Sequence, residues 1–301
     1  MRHFLSIKDL SREEALFLLA EAARLKCELN DHRDRQRQVL SGRTLAMIFE
    51  KPSLRTRVSF DAGMAQLGGH SIYLAPSEIG LGTREAVSDV ARVIGSMCDG
   101  IMARVFKHET VVELAEYAGV PVINGLCDQE HPCQVLADLQ TLREHKGLTG
   151  RKLTYVGDGN NVCNSLMLIC AKLGVDFVAA TPPGYEPPGE IVELAGREGA
   201  VSVTNDPVLA VTGADAVYTD VWTSMGQEAE ARERLAVFPP YQVNAELMAH
   251  AKPDAMVLHC LPAHRGEEIT ADVFESRQSR VFEQAENRLH AQKAMLAWLL
   301  G

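Results

Sequence analysis

Phe49-Glu50-Lys51-Pro52-Ser53-Leu54-Arg55-Thr56-Arg57-Val58-Ser59-Phe60 is the stretch on which the reading of this chain turns. It follows an apolar run, 44–49, with the length of a buried strand, and leads into 57–67, whose apolar residues recur at helical spacing. Pro52 stops the strand. Ser53 is placed to cap the helix, and the first-turn N–H groups, beside Arg55 and Arg57, make a seat for an oxyanion, most simply a phosphate. The same residues would also make a plain capped helix start with two solvated arginines, so the decision rests on the rest of the chain.

Outward from this stretch the pattern repeats. Strands are expected at 71–74, 100–105 and 120–123, with helices at 84–97, 110–118 and 132–145. After a break at Gly147-Leu148-Thr149-Gly150, further strands are expected at 152–156, 176–180, 201–204, 214–219 and 255–259. Apolar strands alternating with helices indicate parallel sheets covered on both faces. Upstream, Ser11 and Glu14 form a capping box for a helix reaching Leu29, followed by a polar linker at 31–38. A strong helix closes the chain from Gln284. The expected fold class is therefore α/β, with two doubly wound parallel-sheet domains and a C-terminal helix crossing back to the first. The domains run 1–147, completed by 284–301, and 148–283.

Composition narrows the function classes. The 301 residues carry 46% hydrophobic side chains, enough for two cores of ordinary size. A net charge of −10 without a long basic run argues against a nucleic-acid partner, so any positive field must be local. Seven cysteines without regular spacing fit reduced thiols in a cytoplasm. The chain contains no apolar span of the ~20 residues that a membrane helix needs, so a cytoplasmic enzyme without membrane contact is expected.

In open parallel sheets ligands bind beyond the carboxyl ends of the strands, so the residues just after each strand matter most. They are Ser53 to Arg57, Arg104, and His131-Pro132-Cys133-Gln134 in the first half. In the second they are Gly157-Asp158-Gly159-Asn160-Asn161, Asp220 to Gly226, and His259-Cys260-Leu261-Pro262. Each has a plain reading too. His131 caps a helix that begins with proline, Cys260 is a small buried hydrophobe, and Asp220 caps a turn. Gly157-x-Gly159 opens like a dinucleotide fingerprint, the basis of a competing dehydrogenase reading, but Val162 holds the third glycine position. Cys127, His131 and Cys133 match no common zinc spacing, and no metal is expected. Their shared place at strand ends is what points to a site.

Together, Phe49 to Arg57, His131 to Gln134 and His259 to Pro262 resemble the signatures of the aspartate/ornithine carbamoyltransferase family. Within it, Asp220-Val221-Trp222-Thr223-Ser224-Met225-Gly226 is similar to the ornithine branch, and Gly157 to Asn161 and Glu286-Asn287-Arg288 extend the match. The resemblance implies transfer of the carbamoyl group of carbamoyl phosphate to the δ-amine of ornithine, giving citrulline and phosphate without a cofactor. It serves arginine biosynthesis or, run the other way, arginine breakdown. It implies carbamoyl phosphate binding by Ser53, the Leu54 backbone, Arg55, Thr56, Arg104, His131, Gln134, Cys260, Leu261 and Arg288, and ornithine binding by Asn161, Asp220, Ser224 and the Met225 backbone. Arg104, His131, Asp220 and Cys260 would carry the chemistry, in a trimer or a multiple of trimers. His259 is excluded as a nucleophilic partner of Cys260, because neighbours on an extended segment point to opposite sides. Two positions depart from the family pattern: Leu54 replaces a common threonine, and Gly80 cannot supply a glutamine side chain often found there.

Overall fold

The computed structural model describes residues 1–31, 38–224, 226 and 228–301; the expected linker at 31–38 lies mostly outside them. Two compact units emerge. One comprises Met1–Gln140 with Glu286–Gly301, the other Thr141–Ala285.

The first unit begins with α1 (Arg12–Asp31), whose capping box is present: Glu14 N–H donates to Ser11 Oγ at 3.1 Å and Ser11 N–H to Glu14 Oε2 at 2.9 Å. There follow β1 (Thr44–Phe49), α2 (Leu54–Gln66), β2 (His70–Leu74), α3 (Pro76–Ile79), α4 (Val87–Met97), β3 (Gly100–Arg104), α5 (His108–Tyr117), β4 (Val122–Leu126) and α6 (Pro132–Lys146). The four strands pair in parallel in the order β2-β1-β3-β4. β1, β3 and β4 are mostly apolar and almost wholly buried, as a helix-covered parallel sheet requires.

The second unit holds β5 (Lys152–Val156), α7 (Asn161–Leu173), β6 (Asp176–Ala180), α8 (Gly189–Glu198), β7 (Val201–Thr204), α9 (Pro207–Val211) and β8 (Ala216–Thr219). It continues with α10 (Ala231–Val237), α11 (Ala245–Met248), β9 (Met256–His259) and α12 (Ala271–Phe274). Its five strands, also parallel, run β7-β6-β5-β8-β9. The last helix, α13 (Val281–Leu300), returns the chain to the first unit from Glu286 onward. Two α/β units with a returning C-terminal helix match the expected class.

Several boundaries move, for local reasons. The helix expected from Arg57 begins at Leu54, because Ser53 caps it, so Leu54, Arg55 and Thr56 form a first helical turn instead of a loop. The strand expected at 120–123 runs to Leu126. Asn124 and Gly125 fall beyond the expected strand, but the N-terminal segment pairs with this edge. Phe4 N–H donates to Val122 O at 2.9 Å, Asn124 N–H donates to Phe4 O at 2.8 Å, and Asn124 Nδ2 reaches Leu5 O at 2.8 Å. The helix expected from Arg84 starts at Val87. Gly80 takes a left-handed conformation, φ 52°, as the C-cap of α3; a glutamine there would be strained, which explains the departure from the family pattern.

Gly95 of α4 lets α4 meet α5: a Cβ there would lie 1.7 Å from the Ala118 carbonyl oxygen. A helix-interior Gly→Ala change normally gains ~0.5–1 kcal/mol. Here overpacking, at about 1–3 kcal/mol, dominates, so Gly95→Ala is expected to lower unfolding stability in urea despite the better helix former.

Candidate active site

Strand order decides which loops meet. The chain leaves β1 for β2 on one side and later returns to β3 on the other, so the crossovers diverge at the carboxyl ends of β1 and β3. Phe49 and Arg104 are register partners at that point. The first polar cluster forms there, from the start of α2, the end of β3, the start of α6 and the second turn of α13.

Ser53 accepts from the Thr56 N–H at 3.4 Å and donates to Thr56 Oγ1 at 3.1 Å. Arg288 is almost fully buried; its Nη2 donates to Thr56 Oγ1 at 3.3 Å and its Nη1 to Gln134 Oε1 at 2.5 Å. Gln134 in turn donates to Asp138 Oδ1 at 2.8 Å, which fixes the direction of its amide. Leu54 points its side chain to solvent, 74% exposed, so the polar group it offers here is its first-turn N–H. Arg57 lies about 200° round α2 from Arg55 and stacks on Tyr73, 4.0 Å from its ring.

His131 precedes Pro132 at the start of α6 and is buried. Burial, then the charges of Arg288, Arg104, Lys51 and Arg55, hold its imidazolium well below the ordinary range. It is therefore neutral near pH 7, a hydrogen-bonding group among four cations. Lys51 was quoted in sequence but given no role. It is buried, and burial and Arg104 lower its own pKa. Like charges gathered this way on a chain of net −10 favour an anion beside them.

The second unit repeats the geometry between β5 and β8. Asp220, just past β8, accepts from Cys260 Sγ at 2.9 Å and from Val221 N–H at 2.8 Å on Oδ1, and from Asn160 Nδ2 at 2.9 Å on Oδ2. Asn161 opens α7 half-buried, and Ser224 lies half-buried beyond Trp222. Met225 lies outside the described residues. His259 is spent on structure: its Nδ1 accepts from Leu261 N–H at 2.9 Å and its Nε2 bonds Glu268 at 3.0 Å. Leu261 itself is left-handed, φ 61°, ahead of a cis Leu261–Pro262 bond.

Two features escaped the sequence reading. Asp158 pairs with Arg234 at 2.8 Å, and the same guanidinium nitrogen donates to the Trp222 carbonyl at 2.8 Å. Burial raises Asp158 to about 6 although Arg234 opposes it. Gly159 is required by the backbone of Tyr185–Pro187: a Cβ would lie 2.3 Å from Pro187 N, and Gly159 N–H donates to Tyr185 O at 2.9 Å. The second glycine of the pair that hinted at a dinucleotide thus serves a close loop approach.

Cys127 and Cys133 are held locally, by Asn124 Nδ2 at 3.3 Å and Asn124 O at 3.2 Å, and with His131 they form no metal-ligating group among the described residues. Asp220, His259 and Cys260 do bring one ligand atom each within 4.8 Å, though hydrogen bonds already engage all three.

Residues 2–144 match the carbamoyl-P binding domain of aspartate/ornithine carbamoyltransferases, and residues 149–299 match their Asp/Orn binding domain. The chain belongs to the aspartate/ornithine carbamoyltransferase family. The ornithine carbamoyltransferase of Carboxydothermus hydrogenoformans is 55% identical over 306 residues, covering 100% of this chain and 98% of that protein. The solved ornithine carbamoyltransferase from Pyrococcus furiosus has a TM-score of 0.96 at 53% identity, covering 100% of this chain and 97% of that one. The anabolic enzyme from Campylobacter jejuni has a TM-score of 0.94 at 40% identity, covering 99% of each chain. Like its relatives, this carbamoyltransferase spans both family domains.

The Asp158–Arg234 pair gives a pH-dependent prediction. Between about pH 4 and 6 the folded chain holds a proton that an unfolded aspartate has released, so Asp158 contributes less stability as pH rises through that window. Arg234→Met removes the cation favouring the charged form and extends the window upward. Breaking such a pair costs about 3–5 kcal/mol. Urea unfolding should therefore show a larger loss for Arg234→Met at pH 8 than at pH 5.

Proposed function

We propose that this enzyme transfers the carbamoyl group of carbamoyl phosphate to the δ-amine of ornithine, giving citrulline and phosphate. The observation that carries this reading is the set of four cations, Lys51, Arg55, Arg104 and Arg288, acting on a neutral His131 at the β1/β3 switch point. A small dianion answers that charge, and the N-terminus of α2 adds donors for its phosphate oxygens. Ser53, Leu54 through its N–H, Arg55, Thr56 and Arg288 bind the phosphate, and Arg104 bridges towards the carbonyl. Gln134 Oε1, with one lone pair used by Arg288, keeps another for the carbamoyl N–H.

Charge gathers on the carbonyl oxygen as the amine attacks, so donors aimed there before reaction stabilise the transition state. Arg104, Thr56 and His131 are the donors; a neutral imidazole supplies a hydrogen bond without adding a fifth full charge. Breakage of the C–O bond to phosphate completes the transfer, and the leaving phosphate takes the proton that the amine loses.

The second unit answers the opposite requirement. A lysine-like δ-amine has a pKa near ~10.4 and must lose its proton before attacking. Asp220 and Cys260, joined at 2.9 Å, orient the amine and favour its neutral form, with Cys260 and Leu261 also lining the carbamoyl group. Asn161, Ser224 and the Met225 backbone read the amino-acid end. Anabolic descriptions of relatives from P. furiosus and C. jejuni support the biosynthetic direction. The enzyme is assigned to the cytoplasm as a homotrimer or multiple of trimers. In support of that compartment, no helix among the described residues is long and apolar enough to cross a membrane. Light scattering after gel filtration reads the assembly.

Citrulline formation from ornithine, with aspartate, putrescine and N-acetylornithine far poorer acceptors, is the expected substrate profile; comparable turnover of any of the three would refute it. Arg288→Ala removes the buried guanidinium placed at the phosphate, where one charge-assisted bond is worth roughly 1.5–3 kcal/mol. Steady-state kinetics should show a rise in carbamoyl phosphate KM of at least about 10-fold, with a smaller change for ornithine.

A further inference from the structure

We propose that Asn160 is the positioning residue for Asp220, and that it uses the N-terminus of α7 to set the plane of that carboxylate. The inference deepens the proposed function and rests on its placement of Asp220 at the ornithine amine.

The amide of an asparagine can usually be turned either way. Here it cannot. Asn160 is the N-cap of α7, and its Oδ1 accepts from Val162 N–H at 3.0 Å and Cys163 N–H at 3.1 Å. Tyr155, buried on β5, adds its hydroxyl to the same oxygen at 3.4 Å. Three donors on one side of the amide force Nδ2 to the other, and there it meets Asp220 Oδ2 at 2.9 Å. Asp220 is consequently held on both oxygens, by Asn160 from the β5 side and by Cys260 and Val221 on Oδ1.

A carboxylate fixed on both oxygens keeps one rotamer and has its remaining lone pairs aimed in a set direction. That is what orienting an attacking amine requires, since small misplacements of reacting groups cost large factors in rate. The helix cap also anchors the device: Asn160 cannot swing without giving up two bonds to α7. Asn161, the neighbour assigned to ornithine by family resemblance, lies inside the helix and does not carry this bond. Asp158 stands nearby but is occupied by Arg234 at 2.8 Å, so it does not compete for the Asn160 amide.

The test separates capping from positioning. Serine and aspartate are both good N-caps, so Asn160→Ser keeps the helix start and loses the donor to Asp220, while Asn160→Asp keeps it and sets a carboxylate against Asp220. A lost hydrogen bond to a charged group lowers kcat/KM for ornithine by about 10- to 100-fold in Asn160→Ser, and by more in Asn160→Asp. The KM for carbamoyl phosphate should stay within about twofold and the thermal midpoint of the serine variant should be preserved, as neither depends on this bond. A second readout does not need turnover. With Asp220 free to turn, Cys260 loses the fixed acceptor of its thiol, and its alkylation by iodoacetamide, followed by peptide mass spectrometry, should accelerate about three- to tenfold.

Unchanged ornithine kinetics and Cys260 alkylation in Asn160→Ser would overturn the proposal. So would a parallel loss for both substrates together with a lowered midpoint, which would leave Asn160 as a helix cap only. If the unmodified enzyme makes no citrulline, the functional reading fails, and the alkylation rates still decide whether Asn160 holds Asp220.

Discussion

A guanidinium sealed inside a protein is costly unless every donor finds an acceptor, and the first unit is arranged around that requirement at Arg288. Thr56 from α2 and Gln134 from α6 accept two of its bonds. In the amide orientation that satisfies both groups, Gln292 accepts two more, at 2.9 and 3.2 Å. One charge thus ties together three helices far apart in sequence and explains why the chain returns to its first unit at Glu286. Hydrogen bonds satisfy the guanidinium's protons without neutralising its charge. The remaining positive potential, shared with Lys51, Arg55 and Arg104, favours an anion at this place in the fold.

The second unit uses the same topology with the opposite sign. Its crevice, where β5 and β8 diverge, holds Asp220, with Asp158 already paired to Arg234. Parallel sheets with a reversal in strand order provide a crevice in either case; the residues at the strand ends decide what it holds. Cations in one unit suit carbamoyl phosphate, and carboxylates in the other suit a substrate that carries amines. The Asp158–Arg234 pair adds control inside the second unit, because the guanidinium that balances Asp158 also holds the Trp222 carbonyl, two residues ahead of Ser224.

Particular residues show where sequence reasoning stops. Ser53 was legible as a cap because capping depends on residues three apart. The capping box of Ser11 and Glu14 was legible for the same reason. The partner of Arg57 was not legible, since the ring it stacks on, Tyr73, is 16 positions away and the helix turns Arg57 away from Arg55. The strand was ended short of Asn124 because the segment that completes its hydrogen bonding lies at Phe4 and Leu5. Asn160 was passed over for its neighbour, as nothing local distinguishes two adjacent asparagines.

The sequence by itself determined the alternation of strands and helices, the caps, and which polar residues follow each strand, because all of these are set by neighbours within a few positions. It also carried enough of a family's signatures to expect carbamoyl transfer. Only the tertiary structure decided the strand orders β2-β1-β3-β4 and β7-β6-β5-β8-β9, and with them which strand ends adjoin. It alone decided that His131 is neutral among four cations and that Asp220 is held on both oxygens. Both are sums of short-range electrostatic terms over residues up to about 160 positions apart, and such terms depend on distance in space, which sequence separation does not encode.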